Sequence, residues 1–207
     1  MEIHKLVVSP GFMTNCYILG CPSTKEAIII DPGDEAFRIM ELVDSQKYDL
    51  KFMINTHAHV DHVCAAGEIQ RERKVPFLLH EKELSVLNAV PGMSRMLGVE
   101  ADDLPTVDEF IDPEKTYEFG ECSFKILETP GHTPGGVCFL FREHVFVGDT
   151  LFAGGIGRTD VPGASHQQLL DSIKSKLFTL DERIVVHTGH GAVTMIGREK
   201  TSNPFFM

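Results

Sequence analysis

The chain has 207 residues, 43% hydrophobic and 24% charged, with a formal net charge of -11. That is enough apolar material for one large domain or two small ones, and without a basic stripe it argues against DNA or RNA as a main partner. The five cysteines are scattered, odd in number and lack a C-x-x-C pair, which suggests reduced thiols in a cytoplasm; no signal peptide and no run of membrane-spanning length is read.

The predicted elements begin with two short buried strands, Tyr17-Ile18-Leu19 and Ala27-Ile28-Ile29-Ile30, set off by Pro and Gly. Asp31-Pro32-Gly33-Asp34 is a turn. Residues 35–45 then place Ile39 and Leu42 on the apolar face of a helix. Leu50, Phe52 and Ile54 alternate as a strand that runs into a dense polar cluster. Val63, Ala66 and Ile69 carry helical spacing, so residues 61–73 read as a helix. Residues 81–98 read as a helix interrupted at Pro91-Gly92. Residues 102–113 are acidic and turn-rich, and are expected to be a surface loop and candidate substrate-side flap. Strands follow at 123–127, 137–141 and 145–147. Leu169, Leu170, Ile173 and Leu177 define a helix over 165–180, and Ile184-Val185-Val186 is a last buried strand. No repeat and no linker divides the chain. Alternation of strands and helices points to a layered α/β architecture in a single domain, 1–207.

The polar cluster is Thr56-His57-Ala58-His59-Val60-Asp61-His62. Imidazole nitrogen and carboxylate oxygen are donors that zinc-like ions accept. In extended backbone, His57 and His59 point to the same side, so both rings can reach one ion. Asp61 and His62 are adjacent, project differently, and more naturally serve a second. Three further candidates stand on Gly-rich loops after predicted strands: His132 in Pro130-Gly131-His132, Asp149 in Gly148-Asp149-Thr150, and His190 in Gly189-His190-Gly191. Taken singly, an Asp beside Gly is a turn residue and a His in a Gly loop is structural or exposed. Their shared position at strand ends, together with the cluster, favours ligands. His4, His80, His144, His166 and His187 lack this context and read as surface or strand-end residues. Cys64 reads as a small packed residue in preference to a thiolate ligand.

The set His57-x-His59-x-Asp61-His62, Gly131-His132, Gly148-Asp149 and Gly189-His190 resembles the metallo-β-lactamase-fold hydrolases, over essentially the whole chain. Thr14-Asn15-Cys16-Tyr17, Ile30-Asp31-Pro32-Gly33 and the run from Ile196 to Phe205 favour the short hydroxyacylglutathione hydrolase (glyoxalase II)-like branch. The resemblance implies a four-layer αββα sandwich and two divalent metal ions, zinc first, with iron or manganese as alternatives. It implies that His57, His59 and His132 hold one ion, that Asp61, His62 and His190 hold the other, and that Asp149 bridges them. It further implies hydrolysis of a small-molecule thioester, such as an S-acylglutathione, or of a related ester or lactone, with Asp61 orienting the attacking hydroxide. A lactamase proper fits less well, because that class lacks the Asp-His pairing or places a Cys among its ligands.

The chain departs from the full-length glutathione-thioester hydrolases. Those carry Lys and Tyr after the Gly-Asp motif and a C-terminal helical extension. Here Phe152 to Asp160 contains neither residue, and the sequence ends at Met207. Arg158 is a candidate for binding a substrate carboxylate, with a structural pair to Asp160 as the equal alternative. Persulfide dioxygenases share the fold and a similar Gly157-Arg158-Thr159-Asp160 run, and would use one iron on His57, His132 and Asp149. A non-catalytic binder is disfavoured by the intact ligand set. The oligomeric state is not legible.

Overall fold

The computed structural model of the protein describes residues 1–99, 101 and 103–207; Asp102, the first residue of the expected flap, lies outside them. The chain divides into two compact units, one made of Met1–Ile111 with Tyr117–Ser123, the other of Asp112–Thr116 with Phe124–Met207.

The first unit is built on a sheet of β1 (Glu2–Val8), β2 (Thr14–Gly20), β3 (Glu26–Ile30), β4 (Asp49–Ile54), β5 (Phe77–Leu79) and β6 (Glu109–Phe110), in that spatial order. The β1–β2 and β2–β3 pairs are antiparallel, while β3 to β6 run parallel. Every residue of β2 is buried, as expected for a strand covered on both faces. Ile29, Met53 and Phe77 from the sheet share a core with Ile39 and Val43 of α1 (Ala36–Ser45), Ile69 of α3 (Ala66–Arg73) and Val90 of α4 (Leu84–Leu97).

Three expectations change here. The helix over 61–73 is two helices, α2 (Val60–Val63) and α3. The Ala65 N–H bonds to the Pro32 carbonyl at 3.0 Å instead of continuing the ladder, so the 31–34 turn breaks the helix. Conversely, α4 runs through Pro91 without interruption. Proline removes one ladder bond, but Leu87 and Val90 remain buried on one face, and Gly98, at φ 68, supplies the stop. The expected flap is tethered over residues 104–111. Glu109 pairs with Leu78, the Gln70 amide donates to the Thr106 carbonyl at 2.7 Å, and the Asp108 carboxylate accepts from the Phe77 N–H at 2.9 Å. β1 and β5 were not assigned from the sequence: β1 is only half-buried, and β5 is too short for a period to show.

In the second unit the sheet order is β14-β13-β10-β9-β8, from β8 (Cys122–Glu128, entered from β7, Thr116–Phe119), β9 (Val137–Leu140), β10 (His144–Gly148), β13 (Val185–Thr188) and β14 (Thr194–Met195). A small hairpin of β11 (Leu151–Phe152) and β12 (Gly155–Ile156) follows β10. Val145, Val147 and Val186 pack with Leu169 of α5 (His166–Ser172), with Ile173 and Leu177, and with Ile196 of α6 (Ile196–Ser202). The helix expected over 165–180 begins on the Ser165 cap and widens into a π-turn at Ile173–Leu177, where Phe178 N–H bonds to Ile173 O at 2.9 Å. Among the described residues, no helix is long and apolar enough to cross a membrane.

Candidate metal centre

Each unit collects its polar residues where parallel strands end. In the first, β3 and β4 are parallel with Ile30 opposite Ile54. The residues that follow, Asp31 and Asn55-Thr56-His57, therefore emerge side by side. The His57 and His59 rings approach to 4.8 Å between centroids, and the His57 and His62 rings to 4.1 Å. The same-side placement expected of His57 and His59 holds. His57 and His62 are buried, and Asp61 is only 8% exposed. Asp61 Oδ2 lies 3.4 Å from His62 Nε2 and accepts the Thr14 hydroxyl at 2.8 Å.

A second set of partners fixes these rings. The buried Asp31 carboxylate accepts Thr56 N–H and Thr56 Oγ1–H, both at 2.7 Å, and His62 Nδ1 at 3.1 Å. The Thr56 hydroxyl has one hydrogen, and it is donated to Asp31. The contact of 3.1 Å between Thr56 Oγ1 and His57 Nδ1 must then run from the ring N–H to the hydroxyl. Both histidines thus carry hydrogen on Nδ1 and present the Nε2 lone pair. Asp31, His57 and His62 bring donor atoms within 4.8 Å of one another, but the Asp31 oxygens are committed to these bonds, which places it to orient the candidate ligands and not to be one. The loop backbone is held as well: Asn55 Nδ2 donates to the His57 and His62 carbonyls at 3.1 and 2.8 Å, and the fully buried Glu83 accepts Ala58 N–H at 2.8 Å. Gly33 permits this fit, because a Cβ there would lie 1.8 Å from the Asp61 carbonyl.

Sequence reasoning missed Asp31 and Glu83 as site residues. Asp31 had a signal, standing at a strand's C-terminal end like the ligands, with φ 52 in the left-handed region. Glu83 had none, since its role depends on where α4 begins. Cys64 is half-buried against the core, and burial, then Asp34 and Asp61, push its thiol up to about 12. It behaves as the packed residue expected.

The second unit repeats the arrangement. β10 and β13 are parallel with Gly148 opposite Thr188, and Gly189 N–H bonds to Gly148 O at 2.7 Å. Asp149 and His190 follow directly, with His190 Nε2 3.4 Å from Asp149 Oδ2. His132, on the loop between β8 and β9, brings its Nε2 to 3.7 Å from the same oxygen. Its Nδ1 lies 2.8 Å from the Arg158 carbonyl, so it must donate there, and again Nε2 is presented. Gly157 sits so close that a Cβ would meet the Asp149 carbonyl at 1.9 Å. The Arg158 guanidinium is exposed and forms a two-point pair with Asp160 at 2.8 and 2.9 Å, which is the structural alternative considered for it. His187 stacks on Phe146 at 4.4 Å and contacts His144 at 3.1 Å, away from any ligand role.

Imidazole Nε2 atoms with pinned Nδ1 hydrogens, beside carboxylate oxygens, are the donor set that zinc or iron takes. The residues fit a divalent metal in chemistry as well as in identity.

The Metallo-beta-lactamase superfamily profile matches residues 9–190. A hydroxyacylglutathione hydrolase, GloC, of Haemophilus influenzae is 37% identical, over 99% of this chain and 98% of its own. The solved structure of BLEG-1, a B3 metallo-beta-lactamase, superposes with TM-score 0.92 at 35% identity and full coverage of both chains. That of TTHA1623 in a di-iron-bound form gives 0.89 at 32%, covering 98% of this chain and 99% of that one. The chain belongs to the metallo-β-lactamase superfamily and has its fold, an α/β sandwich of mixed sheets flanked by helices.

Proposed function

We propose that the two ligand sets act as one dinuclear centre in a single catalytic domain, 1–207, and that the protein hydrolyses thioesters of the S-acylglutathione kind. His57, His59 and His132 would hold the first ion, Asp61, His62 and His190 the second, and Asp149 would bridge. The observation that carries this reading is the pinning of Nδ1 on His57, His62 and His132, which leaves three Nε2 lone pairs with no tautomeric freedom. Likeness to GloC supports the substrate class. Five free cysteines suit a cytoplasmic setting.

When bound, two divalent cations, zinc by preference and iron or manganese as alternatives, supply Lewis acidity and lower the pKa of water towards neutrality. Asp61, steadied by the Thr14 hydroxyl, orients the attacking water and receives its proton. The C–S bond breaks as the new C–O bond is completed. A thiolate leaves with little need of a proton, which suits a site lacking a dedicated acid. Phe152, 6.1 Å from the His190 ring, offers an apolar wall for the acyl group.

The test is metal content together with turnover of a panel of thioesters, lactones, phosphoesters and β-lactams. About two zinc-class ions per chain with thioester turnover foremost is the expected result. A single iron with oxygen uptake on glutathione persulfide would overturn it in favour of a dioxygenase using His57, His132 and Asp149. Preferential β-lactam turnover would move the activity towards the one named for BLEG-1.

A further inference from the structure

A second reactive cluster lies in the first unit, where two turns meet. The chain leaves β2 at Cys21 and returns into β3 through an exposed turn, residues 22–25, closed by Cys21 N–H to Glu26 O at 2.8 Å and Lys25 N–H to Cys21 O at 2.9 Å. The turn between β7 and β8 is pressed against it. Gly120 N–H donates to the Glu26 carboxylate at 2.6 Å, and a Cβ on Gly120 would come within 2.7 Å of the Cys21 sulfur. The same sulfur accepts Glu121 N–H at 3.3 Å and contacts the Ser23 hydroxyl at 3.3 Å. Cys122, the next residue, is half-buried, and the Glu121 N–H contact brings its backbone alongside the Cys21 sulfur. Converging donors with a second thiol alongside make an attacking sulfur and its resolving partner.

We propose that Cys21 and Cys122 are a dithiol pair that a hydroperoxide converts reversibly to a disulfide. The Cys21 thiolate attacks the peroxide; an S–O bond forms, the O–O bond breaks, and the outer fragment leaves as water or an alcohol after taking a proton. The Cys122 thiol then attacks the same sulfur. The S–S bond forms, the S–O bond breaks, and hydroxide departs with the Cys122 proton as water. Two thiols lose two hydrogens, and one hydroperoxide is reduced.

The surroundings favour that order of events. Hydrogen bonds from Ser23, Thr24 and Glu121 lower the Cys21 thiol to about 6, whereas burial, and then the charge of Cys21, raises Cys122. Cys21 is therefore the thiolate at neutral pH, and Cys122 keeps its proton. Among the other cysteines, burial raises Cys16 well above its usual value and Cys64 to about 12. Cys21 is itself 1% exposed, so its cover, the turn of exposed residues 22–25, must part for a peroxide to reach the sulfur.

The experiment treats the metal-loaded full chain with hydrogen peroxide, blocks remaining thiols with N-ethylmaleimide, and maps peptides without reduction. The expected product is a peptide pair joined through Cys21 and Cys122, two hydrogens lighter, restored by dithiothreitol. Cys122→Ser should leave Cys21 as a sulfenic acid trapped by dimedone. Cys21→Ser should leave Cys122 reduced. A wild-type protein in which Cys21 stays alkylatable while other cysteines oxidise would overturn the proposal. So would a crosslink between chains, or a Cys21 that reaches the sulfenic state in wild type and Cys122→Ser alike without joining Cys122.

Discussion

The buried carboxylate of Asp31 accepts the His62 Nδ1 hydrogen at 3.1 Å, and the same carboxylate reaches His57 through the Thr56 hydroxyl. One acid at the end of β3 thus sets the tautomer of two candidate ligands, His57 just after β4 and His62 in α2. Asp31→Asn retains the left-handed backbone that Asn tolerates but has one acceptor oxygen in place of two. Metal affinity should fall by about 10–100-fold with the fold intact, the usual effect of losing an orienting partner. Competition with a chromogenic chelator reads this directly, and unchanged affinity would remove Asp31 from the site.

Asp149 is the candidate that both His132 and His190 face, at 3.7 and 3.4 Å. Asp149→Ala and, independently, His59→Ala should each lower kcat/KM on the preferred thioester by more than about 100-fold. Far-ultraviolet circular dichroism should not change. Activity surviving either substitution would mean that the centre has been misplaced.

Gly33 has no room for a methyl group: the Asp61 carbonyl occupies the position at 1.8 Å. Gly33→Ala should move α2 and cost about 1–3 kcal/mol, as overpacking does, with a matching loss of metal affinity. Denaturant titration of metal-free and metal-loaded protein separates the two effects. Gly92, where a Cβ meets nothing within 4 Å, is the control.

Arg73 and Asp44 join α3 to α1 through two contacts of 2.9 and 2.7 Å. The Arg73 guanidinium holds the Asp44 carboxyl below its usual value. Because the folded-state pKa is depressed, the contribution is present above the unfolded carboxylate value near 3.9 and is lost as pH falls through the folded one. The pair is more than a third exposed on the Asp44 side, so solvent screening limits it. A double-mutant cycle with Asp44→Asn and Arg73→Met should give about 0.5–1 kcal/mol at pH 7, and close to none at about pH 2. A coupling that persisted in acid would show that packing, not charge, joins the helices.

The sequence by itself determined the candidate donors. A run of His57, His59, Asp61 and His62 after an alternating strand, and lone His132, Asp149 and His190 on glycine loops, state a metal chemistry and a family without coordinates. Local pattern also marked the strands that matter, because β3, β10 and β13 hold apolar runs closed by Asp or Gly and β4 alternates.

Only the tertiary structure decided what orients those donors. Asp31 and His62 are distant in sequence and meet because β3 and β4 pair in parallel; Glu83 reaches Ala58 because α4 starts where it does. The same non-local packing settled where helices break. Pro91 is tolerated inside α4 because buried neighbours hold the turn, while the unremarkable Ala65 ends a helix because its N–H finds the Pro32 carbonyl. Periodicity describes one segment against solvent. Hydrogen-bond partners belong to two segments at once, and pairing of strands and docking of helices are what choose them.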